Sequence, residues 1–253
     1  MQMPRPFENY HCHSWHSNIF FWDSPVSKAD YARRAVELNH KLLSGCEHGY
    51  QGNWLETLSA AEKHGLQFLY ATEAYWVNDR LSDDAQNNHI VLIARNMDGV
   101  RALNAVLSEA SETGYLRRPR MDKRLILSLN PKDVYVTTAC LAFWGYGVQE
   151  TLPFLKDLKD HFGDSLFLEV QPHYIARQME LNEHIIRLSK SLHIPMIAGC
   201  DSHFILPEQA EERKNLQAGY GGMKDLDAEG ALFMDYPDGD ELFRRFQNQG
   251  VLS

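Results

Sequence analysis

Apolar and polar positions follow two rhythms along the chain. Short apolar runs at Leu66 to Thr72, His89 to Ala94, Val134 to Ala139, Leu166 to Val170 and Ile194 to Ala198 have the length and boundaries of buried strands. Between them apolar residues recur at helical spacing. Ala32, Val36 and Leu43 predict a helix over roughly 28–44, and Leu55, Leu58 and Ala61 a second one ahead of Gly65. Val100, Leu103, Leu107 and Ala110 predict a helix over 97–113, with others over about 149–161, 177–192 and 240–248. Ser27 with Asp30 marks the first helix start, Asn53 can cap the second, and Pro207 can open a later one. Residues 78–88 read as a polar loop. Residues 115–124 read as a basic one, carrying Arg117, Arg118, Arg120, Lys123 and Arg124.

Buried strand, helix, buried strand, repeated six or seven times, predicts an α/β fold with a parallel sheet flanked by helices, and so many units in one domain favour closure into a barrel. The pattern holds over 1–220. Past Tyr220 it weakens through Gly-Gly and acidic residues, so 221–253 is expected to be a C-terminal extension or the start of a linker to a missing downstream region. The net charge is 25 − 34 = −9, so the surface as a whole repels polyanions. That argues against charge-driven nucleic-acid binding but leaves room for a local cationic pocket. Cys12, Cys46, Cys140 and Cys200 form no CxxC pair, and no secretory signal precedes them, which suits a reducing cytoplasm. No apolar run approaches the ~18 residues of a membrane span.

The chemistry gathers at two forks, His11-Cys12-His13 and Asp201-Ser202-His203. Residues i and i+2 on an extended segment share a face, so each fork aims two donors at one point. A chain with 12 histidines can produce such pairs by chance, but position argues otherwise. His11, His13, His48, Glu73, His89, Cys140, Asp201 and His203 all fall at a predicted strand or its edge, mostly at its C-terminal end, where α/β folds build their sites. The first fork is followed by an apolar run, Ile19-Phe20-Phe21-Trp22, ending at Asp23, which can fold back onto that first strand. Nine such groups exceed the needs of one four-coordinate ion. They imply two or three divalent ions (Zn²⁺, Mn²⁺ or Fe²⁺, with Mg²⁺ admissible), bridged by carboxylates such as Glu73. Ions about 3.5–4 Å apart suit phosphate-ester hydrolysis, clamping phosphoryl oxygens and turning a bridging water into hydroxide.

Other residues have plainer readings. His40, His64, His161, His184 and His193 are expected as solvated or helix-end histidines, and His16 as local polar packing or a support behind the ligands. Cys12 and Cys200 alternate with ligand positions and should face the barrel wall; Cys46 reads as structural. Trp15, Trp22, Trp76 and Trp144 are expected to pack, although they could stack bases. The basic loop is a solvated charge run unless it grips a phosphate backbone.

In this order the residues resemble the PHP family, named for polymerase and histidinol phosphatase, and in particular the PHP domains that open bacterial DNA polymerase III alpha subunits. The likeness runs from about Phe7 to Leu216. It rests on His11-Cys12-His13 followed by Asp23, on Glu47-His48-Gly49, on Glu73 in Thr72-Glu73-Ala74-Tyr75, and on His89 opening a strand that ends in Arg95-Asn96. Pro119-Arg120-Met121-Asp122, Ala139-Cys140-Leu141 and Asp201-Ser202-His203 complete it. Glu47 stands where Asp is usual, and Ser14 where Thr is usual. The resemblance implies a distorted (β/α)₇ barrel with a trinuclear metal site at the C-terminal rim. It further implies phosphatase or phosphodiesterase chemistry, including 3′–5′ exonuclease action on a DNA 3′ end, and a polymerase region or replication partners. His11, His13, Asp201 and His203 are then expected to act at the metals, and Arg120 to hold the scissile phosphate. A small-molecule phosphomonoesterase and a metal-stabilised scaffold without activity are the alternatives.

Overall fold

The computed structural model describes residues 5–19, 22–219 and 232–251. Phe20 and Phe21 of the first apolar run, and the Gly-Gly and acidic stretch after Tyr220, lie outside the described residues.

Helix α1 (Lys28–Glu37) begins with a reciprocal capping box between Ser27 and Asp30. It ends well before the expected stop at Gly45. Asn39 adopts a left-handed φ of 60° and the His40 N–H closes on the Ala35 carbonyl, a termination Asn tolerates well. Leu43, expected on the helix face, therefore belongs to strand β1 (Leu42–Ser44). Helix α2 (Trp54–His64) stops at left-handed Gly65 as predicted. Its buried face, however, is Trp54, Thr57 and Ala61, and Leu55 is 82% exposed. Asn53 does not cap with its side chain; its amide donates to Glu47 instead.

The run at Leu66 to Thr72 divides into β2 (Gln67–Leu69) and β3 (Ala71–Trp76), which places Glu73 inside a strand rather than at its end. Next come β4 (Asn88–Ala94) and α3 (Met97–Thr113), the latter capped by Asn96. The basic stretch is not a loop: it forms β5 (Tyr115–Leu116), β6 (Arg118–Met121) and α4 (Lys123–Ile126). Pro119, Arg120 and Met121 are buried, and a charged strand residue is tolerated when its donors reach backbone carbonyls. Strand β7 (Val134–Thr137), helix α5 (Val148–Phe162), β8 (Leu166–Val170), α6 (Ala176–Leu192) and β9 (Met196–Ala198) follow close to prediction. Helices α7 (Ala210–Gly219) and α8 (Gly239–Gln249) complete the described elements.

The main sheet has the order β5-β6-β3-β4-β7-β8-β9. It is not uniformly parallel, as the alternation suggested, because β4 runs antiparallel to both β3 and β7. The β3–β4 connection carries no crossover helix, and only an antiparallel neighbour can be reached that way. The sheet then curls shut. Cys12 bridges Ser202 in parallel, with the His13 N–H to the Ser202 carbonyl at 2.7 Å, and His48 bridges Glu73. Between these two seams lies the wholly buried ammonium of Lys28, which donates to the carbonyls of Cys12 at 2.8 Å and Cys46 at 3.1 Å. The N-terminal segment, the β1 segment, β3, β4, β7, β8 and β9 make a distorted seven-membered barrel. Ile90 and Leu92 face the helical layer with Leu103, Leu155 and Ile185, whereas Val91 and Ile93 group with Tyr10, Cys46, Ala71 and Ala139.

Residues 232–251, expected as an extension or linker, pack onto the body. Met234 accepts the His203 N–H, Ser202 donates to the Asp235 carbonyl, and Leu242 and Phe246 join the main core. Arg245 grips the buried Asp235 carboxylate with two bonds of 2.6 and 2.8 Å. Arg245→Met should strand that carboxylate and cost about 3–5 kcal/mol, read as a lower urea midpoint. An unchanged midpoint would mean that this segment adds nothing to the fold's stability.

Candidate metal centre

Most donors at the rim lie at a strand end or in the turn after it, whereas Glu73 sits within β3 and Asp23 in the loop ahead of α1. Strand β3 presents Glu73 inward, and its fully buried carboxylate is the hub. Glu73 Oε1 lies 3.2 Å from His11 Nε2 and 3.0 Å from His89 Nδ1; Oε2 lies 2.7 Å from His48 Nδ1 and 3.3 Å from His13 Nε2. The reversal of β4 explains His89: it opens its strand, yet on a reversed strand that end meets the C-terminal rim of the others, and it sits opposite Tyr75 in register. Cys140 follows Ala139, whose φ is 46°. Its Sγ lies 3.5 Å from His89 Nδ1 and 3.7 Å from Glu73 Oε1. Asp201 is itself left-handed, with φ 49°, a region Asp adopts more readily than most residues. Its Oδ1 stands 3.2 Å from His13 Nε2 and 3.4 Å from His11 Nε2. His203 Nε2 faces Asp23 Oδ2 at 2.9 Å, while Asp23 Oδ1 is held by Arg213 and Gln217.

The nine side chains singled out from the sequence are thus contiguous. His13, His48 and His203 form one group whose donor atoms lie within 4.8 Å of each other; His48, Glu73 and His89 form another; His11, His13 and Cys46 form a third. Cys46, read from the sequence as structural, therefore borders the site. Arg120 does not join it. Its guanidinium donates to the carbonyls of Gly114, Arg80, Ser82 and Asp84, so it ties the 80–84 loop to β6 and has little left for a phosphate. His16 points away, to Glu56 at 2.8 Å. Cys12 and Cys200 lie buried in the wall. His40 is 5% exposed rather than solvated, packed edge-on against Phe7.

The residues behind the donors set which nitrogen is bare. His11 Nδ1 meets Glu169 at 2.8 Å, His203 Nδ1 meets the Asp201 carbonyl at 2.7 Å, and His13 Nδ1 meets the Ser17 hydroxyl at 3.0 Å. Ser17 gives its own proton to Glu47, so it can only accept from His13. Each imidazole in its neutral form therefore keeps its proton on Nδ1 and turns a free Nε2 lone pair inward, the arrangement of a metal-ligating histidine. His11 Nε2, His13 Nε2, His203 Nε2, Glu73 Oε2 and Asp201 Oδ1 are buried and make no hydrogen bond of good geometry. Groups left so without cost need a cation between them; the donor set fits divalent ions.

Glu169 is the residue that sequence reasoning missed. The signal was present, since a carboxylate within Leu166-Phe167-Leu168-Glu169-Val170 must be buried and partnered. It takes bonds from Tyr10 (2.5 Å), His11, Gln171 (2.8 Å) and Thr137 (3.3 Å). A Cβ on Gly199 would fall 2.2 Å from its Oε1, so any larger residue there would push this carboxylate out of place. Glu47 plays the matching part on the other side, receiving Ser14, Ser17, Asn53 and Lys28. The two departures from the family pattern meet here: the Ser14 hydroxyl lies 2.5 Å from the longer Glu47 carboxylate.

Burial opposes charge on every group, and the network overrides it selectively. His89, His11 and His48 hold Glu73 well below the carboxylate range despite its burial. Against the same opposition, His11 and His203 depress Asp201, and His203 and Arg213 depress Asp23. Burial would lower His11, but Glu169, Asp201 and Glu73 raise it well above the usual imidazole value; Asp23 and Asp201 likewise raise His203. Burial and the neighbouring His48 depress His13. Protons on His11 and His203 thus balance ionised carboxylates, and a divalent ion has to displace them.

Comparison with known proteins bears on the family and the fold. The family model described as PHP domain matches residues 9–173. DNA polymerase III subunit alpha of Aquifex aeolicus is 26% identical over 223 residues, covering 81% of this chain and 19% of that protein. The Helicobacter pylori subunit is 26% identical over 233 residues, covering 85% and 19%. The chain spans about a fifth of the length of these relatives. In fold it resembles an amidohydrolase from Chromobacterium violaceum (TM-score 0.53, 14% identity, 94% and 96% of the two chains covered). It also resembles a candidate metal-dependent phosphoesterase from Bifidobacterium adolescentis (TM-score 0.50, 14% identity, 98% of each covered).

Chelation should lower the melting temperature, and re-addition of a divalent ion should restore it. Because His11 and His203 must lose protons, apparent metal affinity should rise with pH; a pH-independent affinity would contradict the assigned donors. Glu169→Gln should weaken metal binding about 10- to 100-fold in competition with a chromophoric chelator, with the circular dichroism spectrum retained.

Proposed function

Since the chain belongs to the PHP family, we propose that it is a metal-dependent phosphoesterase acting as a 3′–5′ exonuclease on DNA, in association with a replicative polymerase region. The observation that carries the phosphoesterase assignment is the convergence of buried, unbonded Nε2 and carboxylate oxygen atoms on one rim. His11, His13, Asp23, His48, Glu73, His89, Cys140, Asp201 and His203 would hold the ions. Bound there, divalent ions supply Lewis acidity towards phosphoryl oxygens and lower the pKa of water.

The chain's own residues do the rest. Glu169 and Glu47 fix the ring orientations from behind, so that no reorganisation is needed when substrate arrives. Most of the donors are sealed from solvent, whereas Cys140 is half-buried and the Asp201 side chain keeps 12% exposure, which marks the open side. Trp15 and Trp22 support a polynucleotide over a small ester. They are 51% and 43% exposed and lie two residues after His13 and one before Asp23, whereas Trp76 and Trp144 are buried in the core. Exposed indoles beside a hydrolytic centre can stack successive bases without regard to sequence. The relatives named as polymerase subunits support the replicative setting. The net charge of −9 favours a small phosphomonoester instead.

The deciding assay is 5′-labelled single-stranded DNA with Mn²⁺, beside Asp201→Ala and His11→Ala. A shrinking ladder with wild type and none with the variants is expected. Intact DNA with metal bound, together with turnover of a nucleoside monophosphate, would replace the exonuclease by a phosphomonoesterase; no turnover of either would leave a scaffold. Trp15→Ala should raise the oligonucleotide KM roughly tenfold.

A further inference from the structure

We infer that Arg118 is the phosphate-holding cation of this centre, placing its guanidinium against a non-bridging oxygen of the substrate. The inference rests on the phosphoesterase assignment and names the side chain that would read the substrate's charge.

The residues of the basic stretch have separate tasks. Arg120 is consumed by four carbonyls and Lys123 pairs with Asp157 at 2.9 Å. Arg117 occupies the left-handed turn of the hairpin (φ 64°) and is exposed. Of these, Arg118 is the one whose contacts lead to the ligands. Its guanidinium lies 4.9 Å over the ring of Tyr75, which shares an inward face with Glu73 two residues earlier on β3. It also donates to Asn87 Oδ1, the same oxygen that meets His89 Nε2 at 3.2 Å. That shared acceptor leaves Nδ1 of neutral His89 bare towards Glu73 and Cys140. The backbone is brought close as well. Gly49, directly after His48, is left-handed, and a Cβ there would lie 2.7 Å from Tyr75 and 3.4 Å from Pro119. Strand β6 therefore abuts the His48 turn, with Arg118 preceding Pro119 and held extended.

The other cations nearby are committed. Arg213 holds Asp23, Lys28 holds Glu47 and two carbonyls, and Arg80 spans Asp122 and Glu109. Arg118 makes no ion pair among the described residues; its partners there are a neutral amide and a neutral ring. Asp23, Glu73 and Asp201 offset most of the charge that two divalent ions would bring, so an incoming phosphate anion gains from a further cation. A guanidinium held over an aromatic ring presents its fork with little rotamer freedom left to lose, the geometry suited to a phosphate.

The test uses the metal-loaded protein with Arg118→Met and Arg118→Lys, bis(p-nitrophenyl) phosphate as substrate and inorganic phosphate as inhibitor. Metal content is measured by elemental analysis. For Arg118→Met, full metal content is expected, with kcat/KM lower by about 10- to 100-fold and the phosphate Ki higher by about tenfold; Arg118→Lys should recover part of both. Unchanged kcat/KM and Ki in Arg118→Met would overturn the inference and leave the phosphoesterase standing. Loss of metal in that variant would also overturn it, by making Arg118 a support for His89. A metal-loaded wild type that hydrolyses no phosphoester would remove both assignments together.

Discussion

Glu73 is a carboxylate placed where no water reaches it, surrounded by four imidazoles within 3.3 Å. An ionised group in that position costs several kcal/mol unless positive charge is brought to it, and neutral imidazoles do not supply enough. Protons on His11 and His203 are one solution and divalent ions are another. Most of what is unusual in the fold serves to assemble that requirement: the reversed β4 that turns His89 to the rim, the left-handed Ala139 and Asp201 that redirect chain at strand ends, and the glycine at 199 that lets Glu169 reach His11.

A second layer makes the centre rigid. Glu169 and Glu47 stand on opposite sides, each buried and each saturated with donors, and each fixes a histidine of the first fork. Lys28 binds Glu47 and at the same time bridges the carbonyls of Cys12 and Cys46, so one ammonium closes the barrel seam and neutralises the acid behind the site. Stability and ligand orientation share the same atoms here. Removing either carboxylate would loosen histidines and leave donors unpaired in the interior.

Around this fixed centre the exposed groups differ in kind. Trp15 and Trp22 offer apolar faces near the first fork and Asp23, and Arg118 offers charge near His89. A chain whose overall charge is negative can still meet an anionic strand when the ions and a guanidinium held by neutral groups face the same opening and the aromatic faces carry the bases. The excess of acid elsewhere would discourage contacts outside that opening.

Local spacing along the chain determined a good deal. The forks His11/His13 and Asp201/His203, the helix over 97–113 with its Gly114 end, and the strand at 166–170 follow from periodicity and helix-stop chemistry acting within a few residues. Donor type is also a property of the residue itself, so the chemical class of the site was legible in the order His, His, Asp, His, Glu, His, Cys, Asp, His. What only the tertiary structure decided involves partners far apart in sequence. Strand direction at β4 depends on which neighbour it meets, and the charge run became strand over 118–121 because Arg120 finds carbonyls some forty residues away at Arg80. Glu169 serves His11 across 158 residues. Whether an arginine is spent or available, and whether a carboxylate is a ligand or a support, is fixed by which distant groups satisfy its hydrogen bonds, and neither periodicity nor composition carries that information.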